Sequence, residues 1–260
     1  MDTAFFDLDR DVFLGRNPAR GPWDPELCHA GPVAAAIARQ IELAFGPEKR
    51  LARLTIELSR PVPMSGFTVT AEIAHDGRRL GTGRAVLTAV GSGKVCATAT
   101  ATLLRPTDIG AVQAPPIDRP KVAEAGLGDF PIKEARHDLP MFGNQVDILY
   151  PPGHGGTPGP TKLWMRTPPL LADEVPSSFQ RICPLADCGN AISRNGEVTE
   201  FGFLNADLTI HAHRETRSEW ILSDSWSYWQ GDGIGMSYAE LSDENGPIAT
   251  ALQTLVIDRV

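Results

Sequence analysis

The sequence has no stretch approaching the roughly 20 consecutive apolar residues that a membrane-crossing helix needs, so no membrane span is expected. Its start, MDTAFFDLDRDVFLG, is acidic and lacks a basic segment ahead of an apolar one, which argues against a signal peptide. Positive charge is in deficit: 24 Lys and Arg face 32 Asp and Glu, for a net charge of −8. Nucleic acid is therefore excluded as the main partner, since phosphate backbones require a basic stripe. Cysteine is scarce, with four in 260 residues (Cys28, Cys96, Cys183, Cys188) and no CxxC spacing. A reduced, cytoplasmic protein without a zinc site is the expectation. His211 and His213 form an HxH pair with no third ligand nearby, a poor basis for a metal site. No cofactor is called for.

Glycine and proline are plentiful, at 25 and 22 residues, and 42% of the chain is hydrophobic. This is a turn-rich chain with enough apolar content for a sizeable core. GPVAAAIARQIELAFG predicts a helix, with Pro32 near its start, Gly46 at its end, and Val33, Ile37, Ile41, Ala44 and Phe45 on one face. The alanines between them permit very close packing. Four alternating, Thr- and Val-rich runs follow (RLTIELSRPV, GFTVTAEIAHDG, RLGTGRAVLTAVG, KVCATATATLL), separated by turn signals. A helix and an antiparallel meander thus fill residues 1–106.

Residues 107–160 read as a linker, with the loop-like segments RPTDIGAVQAPPIDRP and YPPGHGGTPGP at its two ends. The plan then repeats over 161–260. PSSFQRICPLADCGNAIS predicts a second helix, weakened by Pro184 and Gly189, and four strand-like runs follow it. LTIELSR at Leu54 is echoed by LTIHAHR at Leu208, and GTG at Gly81 by GIG at Gly233. GKVCATAT at Gly93 is echoed by GPIATALQ at Gly246. Three matches in the same order indicate a duplicated unit.

In this alignment Asp207 stands opposite Arg53, and Gln253 opposite Thr100. A carboxylate and a carboxamide present only in the second copy could hold one water between them, the carboxylate taking its proton and the amide orienting it. One working site per chain is expected. The plainer reading makes Asp207 a turn cap and Gln253 a solvated strand residue.

The chain resembles the hotdog superfamily, and more narrowly the double-hotdog acyl-CoA thioesterases related to bacterial thioesterase II. The resemblance is carried by HAGPVAAAIARQI after Trp23, similar to a His-Gly-Gly helix start, by LTIELSRPVP, and by NADLTIHAHR, EWIL and IATALQ. It implies an α+β double hotdog and hydrolysis of an acyl-CoA thioester without a metal. The family's water-holding aspartate and glutamine carry over to Asp207 and Gln253. Its hydroxyl residue falls at Tyr228 or the adjacent Ser227, and tyrosine there departs from the family's Thr or Ser. Gly31 and Val33 would offer backbone amides at a helix start to a developing oxyanion, with His29 as a ligand contact. Arg78 and Arg79, with Lys49 and Arg50, are candidates for the coenzyme A phosphates. Trp220, Trp226 and Trp229 read as core or interface. Exposed sheet edges suggest at least a homodimer. Two alternatives remain: a non-catalytic acyl-CoA or lipid binder, supported by Tyr228, and an enoyl-CoA hydratase or dehydratase, for which His29 lacks an acid partner in the sequence.

Overall fold

A computed structural model describes residues 4–112, 119–132 and 137–260. The first repeat opens with a hairpin of β1 (Phe6–Asp9) and β2 (Val12–Gly15), then α1 (Ala30–Phe45). The predicted meander follows as β3 (Arg50–Leu58), β4 (Phe67–Asp76), β5 (Leu80–Ala89) and β6 (Val95–Leu104). The connecting region is more than loop: it holds β7 (Gly126–Gly128) and β8 (Asp147–Tyr150), and it buries Phe130 and Phe142. Residues 113–118 of its predicted loop lie outside the described residues. The second repeat comprises β9 (Thr161–Arg166), α2 (Ser178–Ala186), α3 (Gly189–Ile192), β10 (Phe201–Asn205), β11 (Asp207–Ala212), β12 (Ile221–Trp229), β13 (Ile234–Asp243) and β14 (Gly246–Arg259).

Among the described residues, one antiparallel sheet runs β1-β2-β4-β5-β6-β3-β11-β14-β13-β12-β9-β8-β7, with β10 also paired to β14. The two copies join where β3 meets β11, and there the repeated triplets pair with each other. Leu54 faces Ile210, Thr55 faces Thr209, and Ile56 faces Leu208. Thr209 Oγ1 donates to Thr55 Oγ1 at 3.2 Å. A local two-fold axis therefore passes between these threonines, which is why one strand is written twice: each copy is the other's partner.

The same pairings revise the alignment by one residue. Thr55 faces Thr100 on β6, whereas Thr209 faces Leu252 on β14. Leu252 is thus the counterpart of Thr100, and Gln253 that of Ala101. In a strand a one-residue shift exchanges the faces, and Gln253 and Ala101 are both buried on the inner face.

Helix α1 is buried nearly all round, including Ala34, Ala35, Ala36 and Ala38, because the sheet wraps one flank and α2 lies against the other. The helices run antiparallel. Gly31 at the start of α1 meets Pro184 near the end of α2, and a Cβ on Gly31 would lie 2.7 Å from the Pro184 carbonyl oxygen. At the other end Arg39 pairs with Glu174, and Glu42 meets Ser177.

Candidate active site

The second helix breaks where its sequence weakens. Pro184 lies inside α2, and Asp187 and Cys188 separate α2 from α3. The break places Asp187, 4% exposed, at the start of α1 in the other repeat. Its Oδ2 lies 3.2 Å from His29 Nδ1. Its Oδ1 accepts from Asn205 Nδ2 at 2.6 Å and from Gln253 Nε2 at 3.3 Å. The Asp187 backbone carbonyl also accepts from Gln253 Nε2, at 2.8 Å.

Gln253 completes the arrangement from the sheet side. Its Oε1 accepts the Asn190 backbone N–H at 3.2 Å, one of the amides that a first helical turn leaves without an intrahelical partner. Gly189 makes this approach possible: a Cβ there would lie 2.7 Å from Ser237 Oγ and 3.2 Å from Gln253 Oε1. The Asn190 side-chain amide donates to Asn205 Oδ1, closing the network.

Burial pushes the Asp187 carboxyl up to about 7, against the lowering effect of its hydrogen bonds from Asn205, Gly31 and Gln253. Burial holds the His29 imidazole down to about 4. The ring stacks on Phe142, centroids 4.2 Å apart, and its Nδ1 accepts from the Gly31 amide at 3.1 Å. The same Gly31 amide is also directed at the Asp187 carboxyl. A carboxyl that titrates near neutrality is suited to accept a proton from water.

This network opens into a cleft of about 740 Å³ lined by apolar groups including Trp23, Phe130 and Phe203, with Arg60 and Arg259 among its polar groups.

The sequence-derived candidates divide between the two faces of the sheet. Gln253 is in the network. Asp207 is not: it alternates with the buried Leu208 and Ile210, and its carboxylate accepts from the Thr254 amide at 2.9 Å and from Thr254 Oγ1 at 2.8 Å on the outer face. Tyr228 also faces outward, 57% exposed and opposite Met236. Ser227 faces inward, 5% exposed and 2.8 Å from Ser193 Oγ, two strands from Gln253. Of the substrate-contact candidates, His29 lines the cleft. The Gly31 amide is directed at His29 and Asp187, and Val33 is fully buried in the core. Arg78 and Arg79 lie in the β4–β5 turn, where Arg79 O accepts from Arg105 N, beside the far end of α1. That end is about 24 Å away along the helix axis.

Sequence reasoning missed Asp187, Asn190 and Asn205. The helix break was signalled, since Pro184 and Gly189 bracket Asp187. Asn205 was not: the irregular step at Ala206 between β10 and β11 turns Asn205, opposite Leu255, to the inner face and Asp207 to the outer one.

Two antiparallel units fused edge to edge, each wrapping a helix, with a titratable cluster where one helix start meets the other helix end, define a double-hotdog protein. The profile of the acyl-CoA thioesterase N-terminal domain matches residues 19–104, and that of the C-terminal domain matches residues 116–257. The chain belongs to this acyl-CoA thioesterase family and is a thioester hydrolase. It is similar in fold to a proposed thioesterase from Novosphingobium aromaticivorans, at 20% identity, TM-score 0.75, and 98% and 99% coverage of this chain and that one. A hotdog-fold protein of unknown function from Alicyclobacillus acidocaldarius matches at 16% identity, TM-score 0.72, and 99% and 97% coverage. An acyl-CoA thioesterase II from Mycobacterium marinum matches at 17% identity, TM-score 0.62, and 97% and 94% coverage. No curated protein matches the chain. Among the described residues, no helix is long and apolar enough to cross a membrane.

Proposed function

We propose that the protein hydrolyses an acyl-CoA thioester at the Asp187 cleft. The carrying observation is a carboxyl with a pKa near 7, fixed by Asn205 and Gln253 beside an apolar cleft. A water beside Oδ2 attacks the thioester carbon and gives its proton to Asp187. The C–S bond then breaks, and the protonated carboxyl returns the proton to the departing thiolate. Gln253 has its carbonyl and its amide engaged within the network, so it positions Asp187 rather than the water. Asn205 does the same from the strand side. With Nδ1 accepting, His29 carries its proton on Nε2, where it can donate to the thioester oxygen.

The test is coenzyme A release, followed with a thiol reagent across straight-chain and aromatic acyl-CoAs. Turnover should collapse in Asp187→Asn and persist in Asp207→Asn. The reverse pattern would return the base to Asp207 and sink the Asp187 assignment.

One observation favours a second reading. His29 has an acid partner after all, Asp187 at 3.2 Å, so the pair could move protons in hydration or dehydration of an enoyl-CoA. Loss of enoyl absorbance on mixing with enoyl-CoA, abolished by His29→Ala, would select it.

We further infer a homo-oligomer in the cytoplasm. Tyr228, Met236, Ile234, Leu252 and Val256 form an exposed apolar area on the outer face, and all four cysteines are free thiols. Light scattering in solution would test the assembly.

A further inference from the structure

The helix pair has a second end. There, a cleft of about 820 Å³ lies between the C-terminal turn of α1 and the start of α2. The two-fold axis through Thr55 and Thr209 relates it to the first cleft. In each, the residue capping one helix start meets a carboxyl near the end of the other helix: His29 meets Asp187, and Ser177 meets Glu42. Ser177 Oγ lies 2.8 and 2.9 Å from the two Glu42 oxygens and donates to that carboxylate. Gln180 Nε2 donates to Glu42 Oε2 at 2.7 Å.

The second lining is more basic than the first. It contains Arg39, Lys49, Arg50, Arg105 and Arg214 against Glu42, Glu174 and Glu215, five bases to three acids. The first cleft has Arg60 and Arg259 against Asp24, Asp187 and Asp258, two to three. All five bases have acidic partners: Arg39 with Glu174, Lys49 with Asp76, Arg50 with Glu215, Arg105 with Glu48, and Arg214 with Asp243. The Arg50 and Arg105 pairs are exposed on both sides, and such pairs are worth about 0–1 kcal/mol, so a phosphate, which takes bidentate charge-assisted bonds from arginine, can compete for them. Arg78 and Arg79 adjoin the same mouth, because Arg105 N donates to Arg79 O. Apolar groups stand open beside the charges: Leu43 is 61% exposed, Leu104 47% and Val175 88%.

We propose that this second cleft binds a CoA thioester without hydrolysing it, phosphates against Lys49, Arg50 and Arg105 and acyl chain against Leu43, Leu104 and Val175. Identifying the amphiphile as a CoA thioester rests on the functional reading above. Hydrolysis is absent because both Glu42 oxygens are engaged by Ser177 and Gln180, whereas Asp187 Oδ2 faces only His29 and the Gly31 amide.

The experiment is equilibrium binding of a non-hydrolysable S-dodecyl-CoA thioether to the full chain. Two equivalents per chain are expected. One equivalent should be lost in Arg50→Glu/Arg105→Glu and also in Leu43→Glu, a substitution at an exposed position. Coenzyme A release at limiting substrate should stay within about twofold of wild type in both, since each tenfold change in rate would need about 1.4 kcal/mol at the barrier. Leu204→Glu, at the rim of the first cleft, should remove the other equivalent. A single equivalent lost only with Leu204→Glu would overturn the second site and leave the thioesterase reading standing. A single equivalent lost only with Leu43→Glu would do the opposite. No binding at all would sink both, and dodecyl phosphate binding the second cleft as tightly as the CoA thioether would overturn the choice of ligand.

Discussion

The two ends of the antiparallel helix pair are built to one plan and finished with different chemistry. At the Asp187 end the carboxyl sits on a helix break, its Oδ2 beside a neutral imidazole, and it is buried among Asn205, Gln253 and Asn190. At the Glu42 end the helix is unbroken, and the carboxylate is tied to the Ser177 cap and Gln180. Burial raises the pKa at both ends, to about 7 at Asp187. A duplicated scaffold therefore offers two clefts and equips one for proton transfer. The equipping residues are the helix break and a single amide on β14, whose counterpart on β6 is Ala101.

The sharpest way to break the comparison is to neutralise each carboxyl. Asp187→Asn should lower kcat by about 10²- to 10⁴-fold, the usual contribution of a positioned general base. Glu42→Gln should leave turnover within about twofold, because a merely structural tie does not touch the reacting atoms. Steady-state kinetics on one acyl-CoA suffices. Equal losses in both variants would abolish the distinction.

Next comes Gln253→Ala, which strands the Asn190 amide, leaves the Asp187 carbonyl only a 3.5 Å contact from Asn205, and takes one of two donors from Asp187 Oδ1. Unsatisfied buried groups cost about 1–3 kcal/mol each. Both stability and turnover should fall, the latter by roughly ten- to a hundredfold if that loss appears in positioning. Gln253→Glu, retaining the acceptor for Asn190 but repelling Asp187, should shift the pH profile as well. A mere packing role would leave the profile where it is.

How much of this was legible beforehand differs by element. The duplicated unit, the first helix and the meander could be read because period-2 alternation and glycine and proline punctuation are local signals. Gln253 could be read because it interrupts an otherwise apolar alternation. Asp187 could not, since its importance comes from a helix break that brings it to the start of a helix about 150 residues earlier, a fact of tertiary packing. Asp207 was chosen instead because it has no acidic counterpart in the first copy and matches the family's aspartate by local motif, and neither signal tells which face of the sheet it takes. The β8 strand and the stacking of Phe142 on His29 were hidden in a region whose composition reads as loop.

The pH dependence sharpens the contrast further. A base with a pKa near 7 predicts kcat/KM rising with pH to a plateau above that value. Stability moves the other way. The folded pKa of Asp187 lies above its usual 3.8, so its contribution is fully present below about pH 4 and is lost as pH rises through about 7. His29, held at about 4 against its usual 6.5, contributes stability above 6.5 that is lost as pH falls through 4. Asp187→Asn should therefore gain stability relative to wild type between pH 5 and pH 8, as measured by Tm. A constant difference would show that Asp187 keeps an ordinary pKa.

Smallest of all should be the effect of the outward-facing pair. Asp207 is tied to Thr254 at the surface, with 2.8 and 2.9 Å hydrogen bonds, and Tyr228 stands 57% exposed beyond the same sheet. Asp207→Asn leaves one acceptor for the Thr254 amide and should cost about 0.5–1.5 kcal/mol of stability, the net worth of a typical hydrogen bond. Tyr228→Ala removes a ring from solvent and should cost less. Neither should alter kcat by more than about twofold, because the sheet separates both from the Asp187 cleft. If Asp207→Asn did lower kcat while leaving Tm unchanged, the outer face would carry chemistry. The duplicated scaffold would then have been equipped on the side opposite its helices.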